Sequence, residues 1–290
     1  MKKNSSNNYI FVLFIIIFLT TSMFALEKTQ NLAVVVDKSG VKTELISLMS
    51  NVQYFTGYKV GGKGIVINIK DFLIPNCSFG GYYHIFVPFN QIREVVLIKG
   101  NRFKIELLNN KFVEGEIDDV INGNCTLGSL SLSFYEIKSL RIINYEEITI
   151  VPQSGKDGQI ELRNGFKINS ANITRYYCVP SKYLNVLDDY YCDTYLWMEV
   201  EHGQGKLKIK KPFDEIKIIS FDKVTADKYG YSAGESVTVT LKDGSVLHGQ
   251  VCDRFNYEER FNTICGISDS FIFEVNGQGL GWAIKSIIFN

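Results

Sequence analysis

The residues best able to form covalent links are six cysteines. They are Cys77, Cys125, Cys178, Cys192, Cys252 and Cys265. One pair brackets the insert of residues 178–192 and another brackets that of residues 252–265, at equivalent places in two similar stretches. This placement predicts local disulfides Cys178–Cys192 and Cys252–Cys265, each gaining roughly 3 kcal/mol from loop closure. Cys77 and Cys125 would then be left to pair, although six cysteines allow fifteen connectivities.

Residue types suited to catalysis are present but are not grouped. The three histidines, His84, His202 and His248, are scattered, and no C-x-x-C or G-x-S-x-G sequence occurs. Adjacent acidic pairs such as Asp118-Asp119 would point to opposite faces of a strand, and solvated charge explains them. We therefore predict no catalytic residue, no metal and no cofactor, and no enzyme. The enzymatic alternative is a hydrolase with a carboxylate site between structural units.

Two inserts are rich in rings, and the second also contains arginine, a composition typical of binding surfaces, because rigid rings give large contact area at small entropic cost. One insert carries tyrosines between Cys178 and Cys192, and the other lies between Cys252 and Cys265. The predicted binding residues are Tyr183, Tyr190, Tyr191, Arg254, Phe255, Tyr257 and Phe261. They predict a protein or glycan partner.

The elements that would position these inserts are β-hairpins. Residues 237–251 alternate apolar and polar residues on both sides of Asp243-Gly244, which predicts a hairpin closed by a type I′ turn. Similar stretches surround Asn164-Gly165, Asn109-Asn110 and Ser39-Gly40. Each is followed by an apolar segment, and in three of them a Phe-x-x-Ile step predicts a single 3₁₀ turn.

The whole chain reads as all-β, with four hairpin-based units in two related halves. The predicted boundaries are 1–25 for a signal peptide, 26–100 and 101–147 for the units of the first half, and 148–232 and 233–290 for those of the second. Only residues 47–55 show a weak helical tendency.

The hairpin followed by a Phe-x-x-Ile turn resembles the tandem SH3-like and Sm-like small β-barrels, best in the units at 101–147 and 233–290. The resemblance implies that each unit closes into a small barrel, which buries its apolar face and removes sheet edges. It implies no particular function. The aromatic inserts would then project as contact surfaces or fold back over the barrel ends, and ordinary burial of rings favours the second. A β-sandwich or solenoid-like sheet is the alternative architecture.

The N-terminus predicts export. Lys2 and Lys3 precede a continuous apolar run and a small-residue cleavage region ending at Ala25. The mature chain would be periplasmic or secreted, with an uncleaved N-terminal anchor as the alternative and no membrane span after cleavage. Basic and acidic residues number 31 each, so no basic surface for nucleic acid is expected.

These observations together predict an exported, non-enzymatic binding or scaffold protein of the cell envelope. An outer-membrane β-barrel ranks last among the alternatives, because most predicted strands are shorter than the 9–11 residues, roughly, that such strands need.

Overall fold

The structure, a computed structural model, describes residues 32–56, 58–69, 82–146, 155–163, 165–179, 189–222, 236–251, 263–268, 270–276 and 284–290. Within these ranges every element longer than three residues is a β-strand, which confirms the all-β prediction. The weak helical tendency at residues 47–55 is not realised: this stretch holds the two-residue strands Met49–Ser50 and Tyr54–Phe55. None of the helical elements in the described ranges is long and apolar enough to span a membrane.

Thirteen described strands precede residue 147. They are β1 (Ala33–Asp37), β2 (Lys42–Leu45), β3 (Met49–Ser50), β4 (Tyr54–Phe55), β5 (Tyr58–Lys59), β6 (Gly64–Ile69), β7 (Tyr82–Pro88), β8 (Ile92–Lys99), β9 (Arg102–Leu107), β10 (Phe112–Glu116), β11 (Val120–Cys125), β12 (Gly128–Ser133) and β13 (Ile137–Ile142).

Eleven described strands follow it. They are β14 (Lys156–Leu162), β15 (Lys167–Val179), β16 (Asp189–Asp193), β17 (Tyr195–His202), β18 (Gly205–Pro212), β19 (Ile216–Phe221), β20 (Ser236–Leu241), β21 (Val246–Val251), β22 (Thr263–Ile267), β23 (Ile272–Asn276) and β24 (Ile284–Phe289).

The four predicted hairpins exist, and their turns share one hydrogen-bond pattern. In each, the residue that opens the turn donates its N–H to the carbonyl four residues on and accepts from the N–H three residues on, at 2.8–3.1 Å. The opening residues are Asp37, Leu107, Leu162 and Leu241. The residues three positions on are Gly40, Asn110, Gly165 and Gly244, all with positive φ.

The predicted type I′ turn at Asp243-Gly244 is wrong, because Asp243 does not have a positive φ. The geometry is that of a type I turn followed by one left-handed residue, a three-residue loop. Only the final residue therefore needs glycine or asparagine, which explains why Ser39 and Asn109 are tolerated before it.

The three Phe-x-x-Ile steps form 3₁₀ turns, as predicted, at Phe89–Gln91, Phe134–Glu136 and Phe213–Glu215. The phenylalanine that begins each turn is buried in the hydrophobic core. The following isoleucine donates its N–H to the carbonyl of that phenylalanine, which closes the turn. The turn at Phe134 also has a capping box: the Ser133 side chain accepts from backbone N–H groups of the turn, and the Glu136 carboxylate accepts from the N–H of Ser133.

Strand pairing does not follow the units of the sequence. Hairpin β9–β10 pairs with β6 and β8, which belong to the preceding unit. Hairpin β1–β2 conversely pairs through β1 with β13 of the following unit, and Ile46 beside it donates to the carbonyl of Asn124. The first half therefore contains a contiguous inner set, β6–β10, inserted into an outer set made of β1, β2, β11, β12 and β13.

The second half repeats this arrangement. Its inner set is β17–β21, in which β21 pairs with β17 and β20 pairs with β19. Its outer set is β14, β15, β22, β23 and β24, in which β15 pairs with β22 and β14 with β24. Within each half, the strand that follows the 3₁₀ turn of the inner set pairs with the last strand of the outer set, β8 with β13 and β19 with β24.

Glycines permit the close crossings inside the sets. A Cβ on Gly115 of β10 would lie 2.4 Å from Ile67 Cγ2, and one on Gly249 of β21 would lie 2.2 Å from the carbonyl oxygen of Glu199. In the outer set of the first half, the close approach involves β11. A Cβ on Gly123 of this strand would lie 2.4 Å from the carbonyl oxygen of Ser47.

The two halves are joined by antiparallel pairing of β7 with β23, with His84 opposite Glu274. The short hairpin β4–β5 covers part of this junction. Phe55 and Tyr58 from it form a small apolar cluster with Phe86 and Ile272, which are themselves opposite each other across the junction. A larger buried core runs continuously through both halves.

Candidate functional site

A cavity of about 700 Å³ lies beside the β7–β23 junction, between the two halves. Its walls come from the turn end of hairpin β9–β10, the turn end of hairpin β14–β15 and the turn between β22 and β23. A volume of this size suits a small organic ligand. The lining residues are Ile69, Tyr83, Arg102, Leu107, Asn109, Asn110, Lys111, Phe112, Val113, Glu114, Leu162, Phe166, Lys167, Ile168, Asn169, Ser268, Ser270 and Phe271.

A side-chain hydrogen bond between described residues joins the walls across the halves. Asn109, in the β9–β10 turn, donates from Nδ2 to Oγ of Ser270 at 2.8 Å. Ser270 is buried, and the turn that carries it is closed by the bond from Ser268 N–H to the carbonyl of Phe271 at 2.9 Å. These bonds fix the wall between β22 and β23 against the first half.

The cavity has an apolar lining. Leu107 and Val113 contribute from the first half, and Leu162 and Ile168 contribute from the second, and each side chain is buried in its own hairpin. Lining of this kind favours the apolar body of a ligand, because contact with it removes apolar surface from water.

Tyr83 is the notable polar residue of the lining. Its side chain is fully buried, and its hydroxyl has no hydrogen-bond partner among the described residues. Burial raises the pKa of the Tyr83 hydroxyl well above its usual value of 10, so the group stays protonated and can donate. A buried polar group without a partner costs free energy, and a ligand acceptor reaching it would remove that cost.

The charged residues around the cavity are mostly basic. Among the described lining residues, Arg102, Lys111 and Lys167 are basic and Glu114 is the one acidic residue. Arg102 lies 3.5 Å from Glu114, so that carboxylate is already engaged. Lys111 and Lys167 are exposed and form no ion pair with any residue that the structure describes. The cavity is therefore electropositive and suited to a ligand with an acidic group.

Both hairpin tips present a lysine next to an exposed phenylalanine directly after the left-handed turn residue. These pairs are Lys111-Phe112 and Phe166-Lys167, with Phe112 55% and Phe166 38% exposed. The sequence contained this signal, since NNKF and NGFK occur at equivalent positions of two predicted hairpins. Nothing in the sequence indicated that the two tips face one cavity, because the strands that bring them together are distant in the chain.

The structure describes few of the predicted binding residues. Tyr190 and Tyr191 lie in β16, where the ladder with β15 places them opposite Cys178 and Tyr177. Tyr183, Arg254, Phe255, Tyr257 and Phe261 lie outside the described residues, so the aromatic inserts remain a prediction.

No disulfide occurs among the described residues. Cys125 is half-buried and forms no disulfide with a described residue, and Sγ of buried Cys265 lies 3.1 Å from Oγ1 of Thr174. Cys77 and Cys252, which were predicted to pair with these two, lie outside the described residues. The β15–β16 register places Cys178 opposite Tyr190 and Cys192 opposite Tyr176, so these cysteines are diagonal neighbours. The three pairings remain predictions.

In the described part of the chain, no three His, Cys, Asp or Glu side chains lie close enough together to hold a metal ion. The arrangement of the cavity supports binding: an apolar interior, one buried donor and basic residues at its edge. Searches of protein-family models, of characterised proteins and of solved structures find no match to this chain.

Proposed function

We propose that this chain is a non-catalytic binding protein that holds an amphipathic, acidic small molecule in the cavity between its halves. The observation that carries the proposal is the buried hydroxyl of Tyr83, which has no partner among the described residues and lines an apolar cavity. The apolar walls would take the ligand's hydrocarbon part. Lys111 and Lys167 would attract its acidic group.

The alternative of a hydrolase with paired carboxylates is less well supported. General acid–base catalysis by a hydrolase of that kind needs two nearby carboxyl groups whose pKa values differ, so that one is protonated while the other is ionised. Glu114 is the single carboxylate that the structure describes in the lining, and it is paired with Arg102.

We propose further that each inner or outer set is a small barrel of the SH3-like or Sm-like kind. Five antiparallel strands that include a hairpin, β9–β10, and a strand entered through a 3₁₀ turn, β8, support this interpretation for the inner set β6–β10. The N-terminal apolar segment supports export to the periplasm or the exterior, where the predicted disulfides could persist. A protein or glycan contacting the aromatic inserts would be a second partner.

The binding proposal is tested with cis-parinaric acid, a fluorescent long-chain fatty acid, and with its uncharged methyl ester. Wild type should enhance the fluorescence of the acid saturably and bind the ester about tenfold more weakly, because two exposed lysines each contribute on the order of 0.5–1 kcal/mol. Tyr83→Phe, which deletes only the hydroxyl, should weaken binding of the acid several-fold, as loss of one hydrogen bond of about 1 kcal/mol requires.

The double variant Lys111→Ala/Lys167→Ala should lose the preference for the acid over the ester. Its matched control is Lys138→Ala/Lys217→Ala, which removes two exposed lysines of β13 and β19 that are not among the lining residues. No saturable binding by wild type, or equal binding of acid and ester with no effect of the lysine variants, would reject the proposal.

A further inference from the structure

The strand that precedes each 3₁₀ turn occupies an equivalent place in its set. β7, β12 and β18 each run into such a turn and each pairs on one side with the strand before it, β6, β11 and β17. β23 pairs with β22 in the same way and lies in the same place before β24. These four strands can therefore be compared directly by what covers their second edge.

Two of the four cover each other. β7 and β23 pair in antiparallel fashion over five residues, from Phe86 opposite Ile272 to Tyr82 opposite Asn276. This pairing joins the inner set of the first half to the outer set of the second. The molecule thus already contains one contact in which two such strands meet edge to edge.

Among the described residues, β12 pairs only with β11 and β18 pairs only with β17, so the second edge of each has no described strand partner. Open edges present unpaired N–H and C=O groups, and proteins commonly protect them with charge. β18 is protected in this way, since Lys206, Lys208 and Lys210 alternate along it. Lys206 lies 3.5 Å from Glu199, and Nζ of Lys210 lies 3.6 Å from the ring centre of Tyr195.

β12 carries no such protection. Its sequence is Gly128-Ser129-Leu130-Ser131-Leu132-Ser133, without a charge or a proline. Leu130 and Leu132 pack on the core, which holds the strand in place. Leu127, in the turn that leads into β12, is 96% exposed. A neutral, anchored edge that no described strand covers, beside an exposed leucine, is suited to adding a strand.

We infer that β12 is a self-association edge, at which two copies of this chain pair β12 with β12 in antiparallel fashion. The occupant is a second copy because the β7–β23 contact shows equivalent strands of this fold meeting edge to edge. Antiparallel pairing of one strand with its own copy is two-fold symmetric and closes as a dimer. The inference is independent of the ligand proposed for the cavity.

The test is sedimentation velocity of the full mature chain over a wide concentration range, in a reducing buffer so that Cys125 cannot cross-link copies. A weak, concentration-dependent dimer is expected, since an interface built on one strand pair is small. Ser129→Lys/Ser131→Lys gives β12 the alternating lysines of β18 and should raise the dissociation constant about tenfold or more.

The matched control is Thr238→Lys/Thr240→Lys, which places two lysines at the same spacing on β20, a strand paired on both edges. This control should dimerise like wild type. Amide exchange at residues 128–133 should slow on dimerisation in wild type. A chain that stays monomeric at all concentrations, or a dimer whose β12 amides exchange as in the monomer, would overturn the inference.

Discussion

Leu140 of β13 lies directly opposite Val95 of β8, at the seam where the outer and inner sets of the first half meet. Ile287 and Ile219 occupy the corresponding places at the seam between β24 and β19. All four side chains are buried. At each seam, the pairing of the outer-set strand with the inner-set strand therefore has a buried apolar pair at its middle. This pair packs in the cores of both sets.

Truncation at either seam should be strongly destabilising. Leu140→Ala and Ile287→Ala are each expected to lower the free energy of unfolding by about 2–5 kcal/mol, because each leaves a cavity in a packed core. Chemical denaturation with urea measures the change. Lys138→Ala, an exposed residue two positions before Leu140, should stay within about 0.5 kcal/mol of wild type. Equal effects of Leu140→Ala and Lys138→Ala would show that the seam does not contribute as described.

The crossing glycines should not tolerate a methyl group. Gly115→Ala and Gly249→Ala are expected to lower the free energy of unfolding by about 1–3 kcal/mol, since the new Cβ would overlap the neighbouring strand. Gly205→Ala is the control, because the nearest atom to its added Cβ is 4.0 Å away. If all three variants unfolded at the same urea concentration, the close approach of β10 to β6 and of β21 to β17 would be contradicted.

The need for a left-handed backbone conformation at the end of the turn can be tested at Gly244, where an added Cβ would meet no neighbouring atom. Gly244 has a φ of 88° and open space around its Cα, so Gly244→Ala changes only the backbone preference. A loss of about 1–2 kcal/mol in unfolding free energy is expected. Gly244→Asn should lose less, because Asn110 adopts a φ of 63° at the equivalent place. An alanine variant as stable as wild type would argue against the left-handed conformation.

The junction between the halves should weaken in mild acid. Burial lowers the pKa of His84 from its usual 6.5, so the folded state holds a proton less readily than the unfolded chain does. Its contribution is therefore fully present above pH 6.5 and is lost as pH falls below that value. Urea midpoints measured from pH 8 to pH 5 should fall less steeply in His84→Gln than in wild type. Parallel profiles for the two proteins would exclude His84 as a source of the pH dependence.

Local features were predictable from the sequence because neighbouring residues determine them. Alternation of apolar residues around Asp243-Gly244 predicted a hairpin, and the Phe-x-x-Ile spacing predicted the 3₁₀ turn at Phe134–Glu136. The turn type was wrong, since asparagine or aspartate before glycine fits a type I′ turn and also a type I turn ending in one left-handed residue. Sequence alone does not distinguish them.

Long-range pairing was not predictable in the same way. Hairpin β9–β10 could bury its apolar face against the strands of its own unit or against β6 and β8, and both satisfy the same alternation. Gly115 marks a close strand crossing but does not say which strand it meets. The cavity depends on that choice, so Tyr83, Lys111 and Lys167 could not be grouped from the sequence.

The insertion of one set into the other also dictates the order in which a growing polypeptide can mature. Residues 64–116 can complete their inner set as soon as they leave the ribosome, whereas Ala33 and Val35 must wait for Leu140 and its neighbours. The opening hairpin of the second half waits until the last six-residue strand, Ile284–Phe289, has been synthesised. Nascent chains of this protein therefore carry an uncovered apolar ribbon for most of their synthesis, which is the state that chaperones shield.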